Sequence, residues 1–235
     1  MIRGKSWDEY WQESAPTSGP YAAIARFYRS RIISPAVRHY VRRYFRDEAG
    51  KVYVHAGCGS AETDSRIGFI AADVVLMDIS LEALRIARRT TRFPKARLVC
   101  GDLFAPPFRT SSVDGIWDLG VMEHFDGPEI RRIFTGLGRI LKPGARCVVF
   151  WPPVYGLSVI ALTSFLFVAN TILRRGLRLY PDEISLFRSL AQVRELLSGS
   201  RIEMERTHFG PRDLFTYVVL VGRASRDGES EPPAP

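Results

Sequence analysis

From Lys51 onward the chain alternates short β-branched, apolar runs with longer amphipathic stretches, and this alternation restricts the fold more than any other feature. The segments 52–55, 73–78, 97–100, 113–118 and 147–151 read as buried strands, each short, apolar and bounded by Gly, Asp or Pro. Helix-like segments lie between them. Ser80 is placed to cap a helix over 81–89. Gly127-Pro128 opens another, with Ile130, Ile133, Phe134, Leu137, Ile140 and Leu141 on one face, and Lys142-Pro143-Gly144 stops it. Connections of this kind are right-handed and build a parallel sheet covered on both faces. The pattern changes near the end. A helix over 186–197 is followed by strands at 201–206 and 214–222, joined by a short Gly-Pro connection; no crossover fits there, so the pair should be antiparallel. Ahead of the sheet, 21–45 alternates apolar and arginine positions at helical spacing.

Composition narrows the class. Hydrophobic residues at 46% and charged residues at 25% describe a globular chain and exclude disorder or a collagen-like repeat. Three cysteines, Cys58, Cys100 and Cys147, with no Cys-x-x-Cys pair, give neither a disulfide framework nor a structural zinc site. A reducing, cytoplasmic setting is expected, and the first ten residues lack the apolar core of a signal peptide. The net charge is +8, and all but four of the 33 basic residues are arginine. Guanidinium forks suit phosphates and carboxylates, so nucleic acid or an anionic membrane must be weighed against a simple codon bias toward arginine.

In a doubly wound sheet, ligands bind beyond the carboxyl ends of the strands. The first strand ends in His55-Ala56-Gly57-Cys58-Gly59-Ser60-Ala61, where the glycines permit close backbone approach. The second ends at Asp78, nineteen residues after Gly59, where a carboxylate can accept both hydroxyls of a ribose. The third ends at Gly101-Asp102, where a carboxylate can accept from an adenine amino group. The fourth runs into Asp118-Leu119-Gly120-Val121-Met122-Glu123-His124. Singly these acids read as a helix cap, a turn former and a strand end; at successive strand ends they point to a nucleoside site.

The stretches HAGCGSAETD, VVLMDIS, LVCGDLFAPPF, SVDGIWDLGVMEHF and RILKPGARCVVFWPP resemble, in order and spacing, the motifs of class I S-adenosylmethionine-dependent methyltransferases, with the subgroup of ubiquinone-biosynthesis-type enzymes the nearest in look. The resemblance is strong over 51–153 and implies a Rossmann-like, doubly wound α/β fold. Its seven-stranded sheet would have the order 3-2-1-4-5-7-6, the last strand antiparallel. It further implies that Gly57, Cys58 and Gly59 line the methionine part of the cofactor, with Asp118 and Val121 near it. Asp78 would hold the ribose, Ile79 would lie against the adenine, and Asp102 would accept from the adenine amino group beside Leu103. Two positions depart from the pattern. His55 stands where an acidic residue is usual, able to accept a hydrogen bond but without a carboxylate's charge, and Ala61 replaces the third glycine.

A sulfonium methyl donor is already activated, so alignment, which can supply ~7–11 kcal/mol, outweighs the ~10²–10⁴-fold of a general base. His124 is the first candidate base and Glu123 the second, with His55 third; a structural histidine capping the next helix is the other reading of His124. Base-methylating fingerprints do not stand in the expected turn: Asp118-Leu119-Gly120-Val121 occupies it, while Trp151-Pro152-Pro153 follows the wrong strand. Nucleic acid is therefore not the expected partner. The seventeen uncharged residues 157–173 match the lower limit of ~17–25 for a membrane span. A span there would put strands of one sheet on opposite sides of a bilayer. The run would instead cap the substrate pocket, lie in a membrane interface beside Arg174, Arg175 and Arg178, or form an ordinary core helix.

The expected organisation is an N-terminal helical arm over 1–46 that covers the pocket through Tyr10, Trp11 and Tyr21, a methyltransferase domain over 47–224 with an apolar helical insertion at 154–185, and a disordered tail over 225–235. The expected activity is S-adenosylmethionine-dependent methyl transfer to a small, apolar or lipid-like molecule, with peripheral contact to anionic membrane through 157–178. No metal is called for, and the oligomeric state is not legible. The alternatives are an RNA or protein methyltransferase and a methyltransferase-like binding protein without catalysis.

Overall fold

The computed structural model describes residues 6–13, 20–167, 171 and 184–226. The arm begins with α1 (Trp7–Glu13) and α2 (Pro20–Tyr28), which continues through a π-helical turn (Arg29–Ile33) into α3 (Ser34–Tyr44). The sheet is built by β1 (Val52–Ala56), β2 (Asp73–Asp78), β3 (Ala96–Cys100), β4 (Val113–Leu119), β5 (Leu141–Trp151), β6 (Ile202–His208) and β7 (Val218–Ala224). Between them lie α4 (Leu81–Thr90), α5 (Gly127–Ile140), α6 (Leu157–Phe167) and α7 (Leu190–Leu197). The strand order is 3-2-1-4-5-7-6, with β7 antiparallel to both β5 and β6, as the sequence motifs imply.

Side chains alternate across the strands, so the sheet has two apolar faces. Val54, Ala56, Ile116, Val149 and Trp151 pack under α5 and α7; Tyr53, Val74, Leu76, Trp117 and Phe150 pack under α3 and α4. The helix starts follow local chemistry. Ser80 Oγ accepts from the Ala83 N–H at 3.1 Å to cap α4, and Asp126 and Glu129 form a reciprocal capping box at α5.

Four boundaries differ from the sequence pattern. The strand around 97–100 is not buried: β3 pairs only with β2, and its side chains are half or fully exposed at this edge. The breaker Lys142-Pro143-Gly144 ends α5 but does not delay the next strand, because β5 starts at Leu141 and absorbs the extra residues as an irregularity opposite Val113 and Gly115. The helix expected over 186–197 begins only at Leu190, after a Ser189 cap, because Phe187 pairs in extended form with Pro153. The strand expected from 214 begins at Val218. Leu214 and Phe215 take left-handed conformations (φ +53° and +56°) in a turn over the buried Asp213. Within the apolar run, α6 is helical as expected. Residues 168–170 and 172–183, including Arg174, Arg175 and Arg178, lie outside the described residues, as does the tail from 227. No described helix is long and apolar enough to cross a membrane.

Candidate active site

The loops that follow β1, β2, β3 and β4 converge on one cavity of about 400 Å³. In the first loop Gly57 and Gly59 have φ of +67° and +50°, where a Cβ is disfavoured. Space excludes one as well. A Cβ on Gly57 would stand 2.7 Å from Val121 Cγ2, and one on Gly59 would stand 2.7 Å from the Trp11 ring. Cys58 lines the same wall, its thiol pushed well up by burial and then by the carboxylates of Asp78 and Asp64, so it is no nucleophile.

Asp78 fixes the loop. Its Oδ2 accepts from the Gly59 N–H at 2.8 Å and its Oδ1 from the Ser80 N–H at 2.9 Å. Burial raises its pKa above the usual carboxylate value, an effect that these two N–H groups offset only in part. Each oxygen keeps an acceptor site for a ligand hydroxyl. Ile79 beside it is half-exposed to the cavity. Asp102 anchors its own turn by accepting from the Phe104 N–H at 2.9 Å, and lines the cavity with Leu103. Gly57, Cys58, Gly59, Asp78, Ile79, Asp102, Leu103 and Val121 thus share one crevice, together with Glu123 and His124.

Two expected residues are not in it. His55 faces the layer beneath, where its Nδ1 lies 2.6 Å from Asp64 Oδ2 and its ring stacks on Trp117 at 5.2 Å. Its position on β1 places it directly opposite Trp117 of β4. Asp118 alternates with Trp117 and points to the opposite side, below α5, where no described donor reaches either carboxylate oxygen. Burial first, and then the neighbouring Glu123, push its pKa well up, which favours the neutral acid. The cavity's third wall is α1 of the N-terminal arm. Trp7 joins the expected Tyr10 and Trp11 on α1, and the Trp7 ring meets His124 edge-on at 5.4 Å. The Tyr21 side chain lies outside what is described. Ser6 and Glu9 cap α1 reciprocally, a signal that was readable in Ser-x-x-Glu. None of the described residues of α6 lines the cavity, so α1 and not the apolar run forms the described cover.

His124 sits in a short 3₁₀ turn (Met122–His124), and burial depresses its pKa to about 4. It is neutral at physiological pH. Arg29 is the one arginine or lysine at the cavity among the described residues and pairs with Glu62 at 3.5 Å. No described cluster of His, Cys, Asp and Glu is suited to a metal ion.

Residues 54–149, which supply most of this crevice, match the methyltransferase domain family. No curated relative matches the chain in sequence. Solved structures extend the likeness in fold. Magnesium protoporphyrin IX methyltransferase from Synechocystis, solved with bound S-adenosylhomocysteine, is 16% identical, with 92% of this chain and 94% of that one covered at a TM-score of 0.62. An S-adenosylmethionine-dependent methyltransferase from Methanosarcina mazei is 19% identical, with coverage of 80% and 98% and a TM-score of 0.58. Geranyl diphosphate C-methyltransferase from Streptomyces coelicolor is 17% identical, with coverage of 80% and 75% and a TM-score of 0.53. The chain shares the fold of these solved methyltransferases. The crevice has the features that S-adenosylmethionine needs: its glycine cradle leaves no room for a Cβ, and two carboxylates face the same space.

Proposed function

We propose that the protein transfers a methyl group from S-adenosylmethionine to a small, apolar or lipid-like acceptor. The convergence of Gly57, Gly59, Asp78 and Asp102 on a single cavity carries this reading. When bound, the cofactor supplies an electrophilic methyl on a sulfonium. In our assignment Gly57, Cys58, Gly59 and Val121 receive its amino-acid part, Asp78 the ribose hydroxyls, Ile79 and Leu103 the adenine faces, and Asp102 the adenine amino group. His55 and Asp118 support this wall from behind. His124 and Glu123 then stand on the acceptor side, where neutral His124 can take a proton from the acceptor. Trp7, Tyr10, Phe125 and Tyr217 exclude water from that side and favour an apolar partner.

The same aromatic roof argues against a polynucleotide acceptor, which needs an open basic groove. Peripheral contact with anionic membrane belongs to this reading through the apolar face around α6 and the arginines near it. Calorimetric titration with S-adenosylhomocysteine tests the core of the assignment. The wild type should bind, and Asp78→Ala should weaken binding at least tenfold. No binding at millimolar ligand would leave a methyltransferase-like protein without its donor.

A further inference from the structure

Asp8 lies on α1 between Trp7 and the residues that roof the cavity, yet its own side chain turns away from the cavity toward α4. Its Oδ1 accepts from the Ser80 hydroxyl at 2.6 Å and from the Glu82 N–H at 3.1 Å. The carboxylate therefore sits at the start of a ten-residue helix, where a negative charge is favoured. The Ser80 hydroxyl and then the Glu82 N–H hold its pKa below the usual range, so it is ionised throughout the neutral range.

Ser80 is shared. While its hydroxyl donates to Asp8, its backbone N–H donates to Asp78 Oδ1 at 2.9 Å, and Asp78 Oδ2 holds the Gly59 N–H. One continuous set of hydrogen bonds thus runs from the arm, through the cap of α4, to the carboxylate and the glycine loop of the donor crevice. The arm closes the loop from the other side, because the Trp11 ring packs directly over Gly59. At the far end of α1, Trp7 leans on His124. The short helix therefore touches both the donor half and the acceptor half of the cavity, and Asp8 supplies its polar fastening to the domain.

We propose that Asp8 is a positioning residue: by holding Ser80 it fastens α1 over the crevice and keeps the Asp78 carboxylate in place for the donor. The inference rests on the donor reading given above. It makes arm closure and donor binding reciprocal, since whatever stabilises one stabilises the other. Asp8 touches no ligand itself.

Two substitutions separate this role from a general structural one. Asp8→Ala removes both acceptor bonds, whereas Asp8→Asn keeps an Oδ1 that can accept from Ser80 and Glu82. Two of the four tryptophans, Trp117 and Trp151, are fully buried, so acrylamide quenching of tryptophan emission reports mainly on Trp7 and Trp11 of the arm. In the ligand-free protein Asp8→Ala should raise the quenching constant at least twofold, with Asp8→Asn close to wild type. S-adenosylhomocysteine should bind Asp8→Ala about tenfold more weakly than wild type, again with recovery in Asp8→Asn. Equal quenching and equal affinity in wild type and Asp8→Ala would overturn the proposal, as would an Asp8→Asn that behaves like Asp8→Ala. Should the wild type itself fail to bind S-adenosylhomocysteine, the donor reading falls; Asp8 as a positioning residue falls with it, while the ligand-free quenching still decides whether it fastens the arm.

Discussion

His124 shows how burial sets the working range of a single side chain. Its imidazole is packed below Trp7, and its pKa falls to about 4 against an ordinary value near 6.5. Between those values the unfolded chain binds a proton that the folded protein refuses. The associated stability is therefore complete above pH 6.5 and drains away as pH falls toward 4. At pH 4.5 the loss amounts to about 2–3 kcal/mol. Urea denaturation of wild type and His124→Gln at pH 7 and pH 4.5 checks this: the variant should lack that share of the acid sensitivity. Catalysis gives a second readout. If His124 accepts the acceptor's proton, the wild-type rate should stay flat from pH 9 down to about 5, and His124→Gln should lose about 100-fold in kcat. A loss under threefold would mean that alignment alone drives the transfer. Nothing in the local sequence announces the depressed pKa, because the burial is tertiary and includes a ring, Trp7, more than a hundred positions away.

At the scale of elements, the antiparallel end of the sheet is tied by one carboxylate. Glu205 stands at the irregularity in β6 between Met204 and Arg206, and it reaches Arg146 of β5 at 2.7 Å and Arg223 of β7 at 3.3 Å. These guanidinium groups, Arg146 first, hold its pKa at about 2. A carboxylate depressed in this way stabilises the fold above its ordinary pKa of about 4.5, and the contribution disappears as pH falls through 2. Solvent reaches the network, so the full shift overstates its value; about 1–2 kcal/mol is expected after screening. Glu205→Gln should lower stability by that amount at pH 7 and by nothing near pH 2, as measured by thermal unfolding. The triad was invisible in sequence, since its members meet only through strand pairing. Strand alternation, by contrast, is legible, because Val, Ile and Leu runs between Gly, Asp and Pro leave few other solutions, whereas the strand order came from the family resemblance and not from the pattern. Where the reading failed, tertiary pairing overrode local pattern: Phe187 was drawn into a bridge, and Leu214 and Phe215 into a turn over Asp213. The crevice was legible in the same uneven way. Asp78 at the end of β2 and Asp102 in the turn after β3 line it, whereas His55 and Asp118 occupy strand positions whose side chains alternate away from it, and a motif read as a string does not show the side.

For the whole molecule, the feature with the largest consequence is an apolar face beside the cavity, made by three distant segments. The Leu157 N–H donates to the Phe215 carbonyl at 3.1 Å, Phe209 packs edge-on with both Tyr155 and Phe215 at 5.3 Å, and the Tyr28 hydroxyl bonds to Thr216. Leu157, Ile160, Leu214, Phe215 and Phe209 are each 40% exposed or more, while Tyr217 from the same loop lines the cavity. The segments around it are mainly basic, although Arg29 is paired with Glu62 at the cavity. Segments 20–31, 154–167 and 209–215 carry Arg26, Arg29, Arg31 and Arg212, and their one carboxylate, Asp213, is buried. On the proposed reading, apolar side chains on arginine-bearing segments would suit an anionic bilayer, which would present an apolar acceptor at the mouth of the site. Each arginine near such a surface contributes about 1 kcal/mol, so Arg212→Ala should weaken binding to phosphatidylglycerol-containing vesicles about fivefold. Leu214→Glu should weaken it further, by removing apolar contact and adding a repelled charge. Pure phosphatidylcholine vesicles should bind poorly, and raised salt should release the protein from anionic ones, because the charges are exposed and screened. Co-flotation with both vesicle types at two salt concentrations measures all of this. No recovery on either vesicle type would remove the membrane from the account and leave the acceptor to arrive from water, and equal recovery on both would remove the arginines' part in the binding.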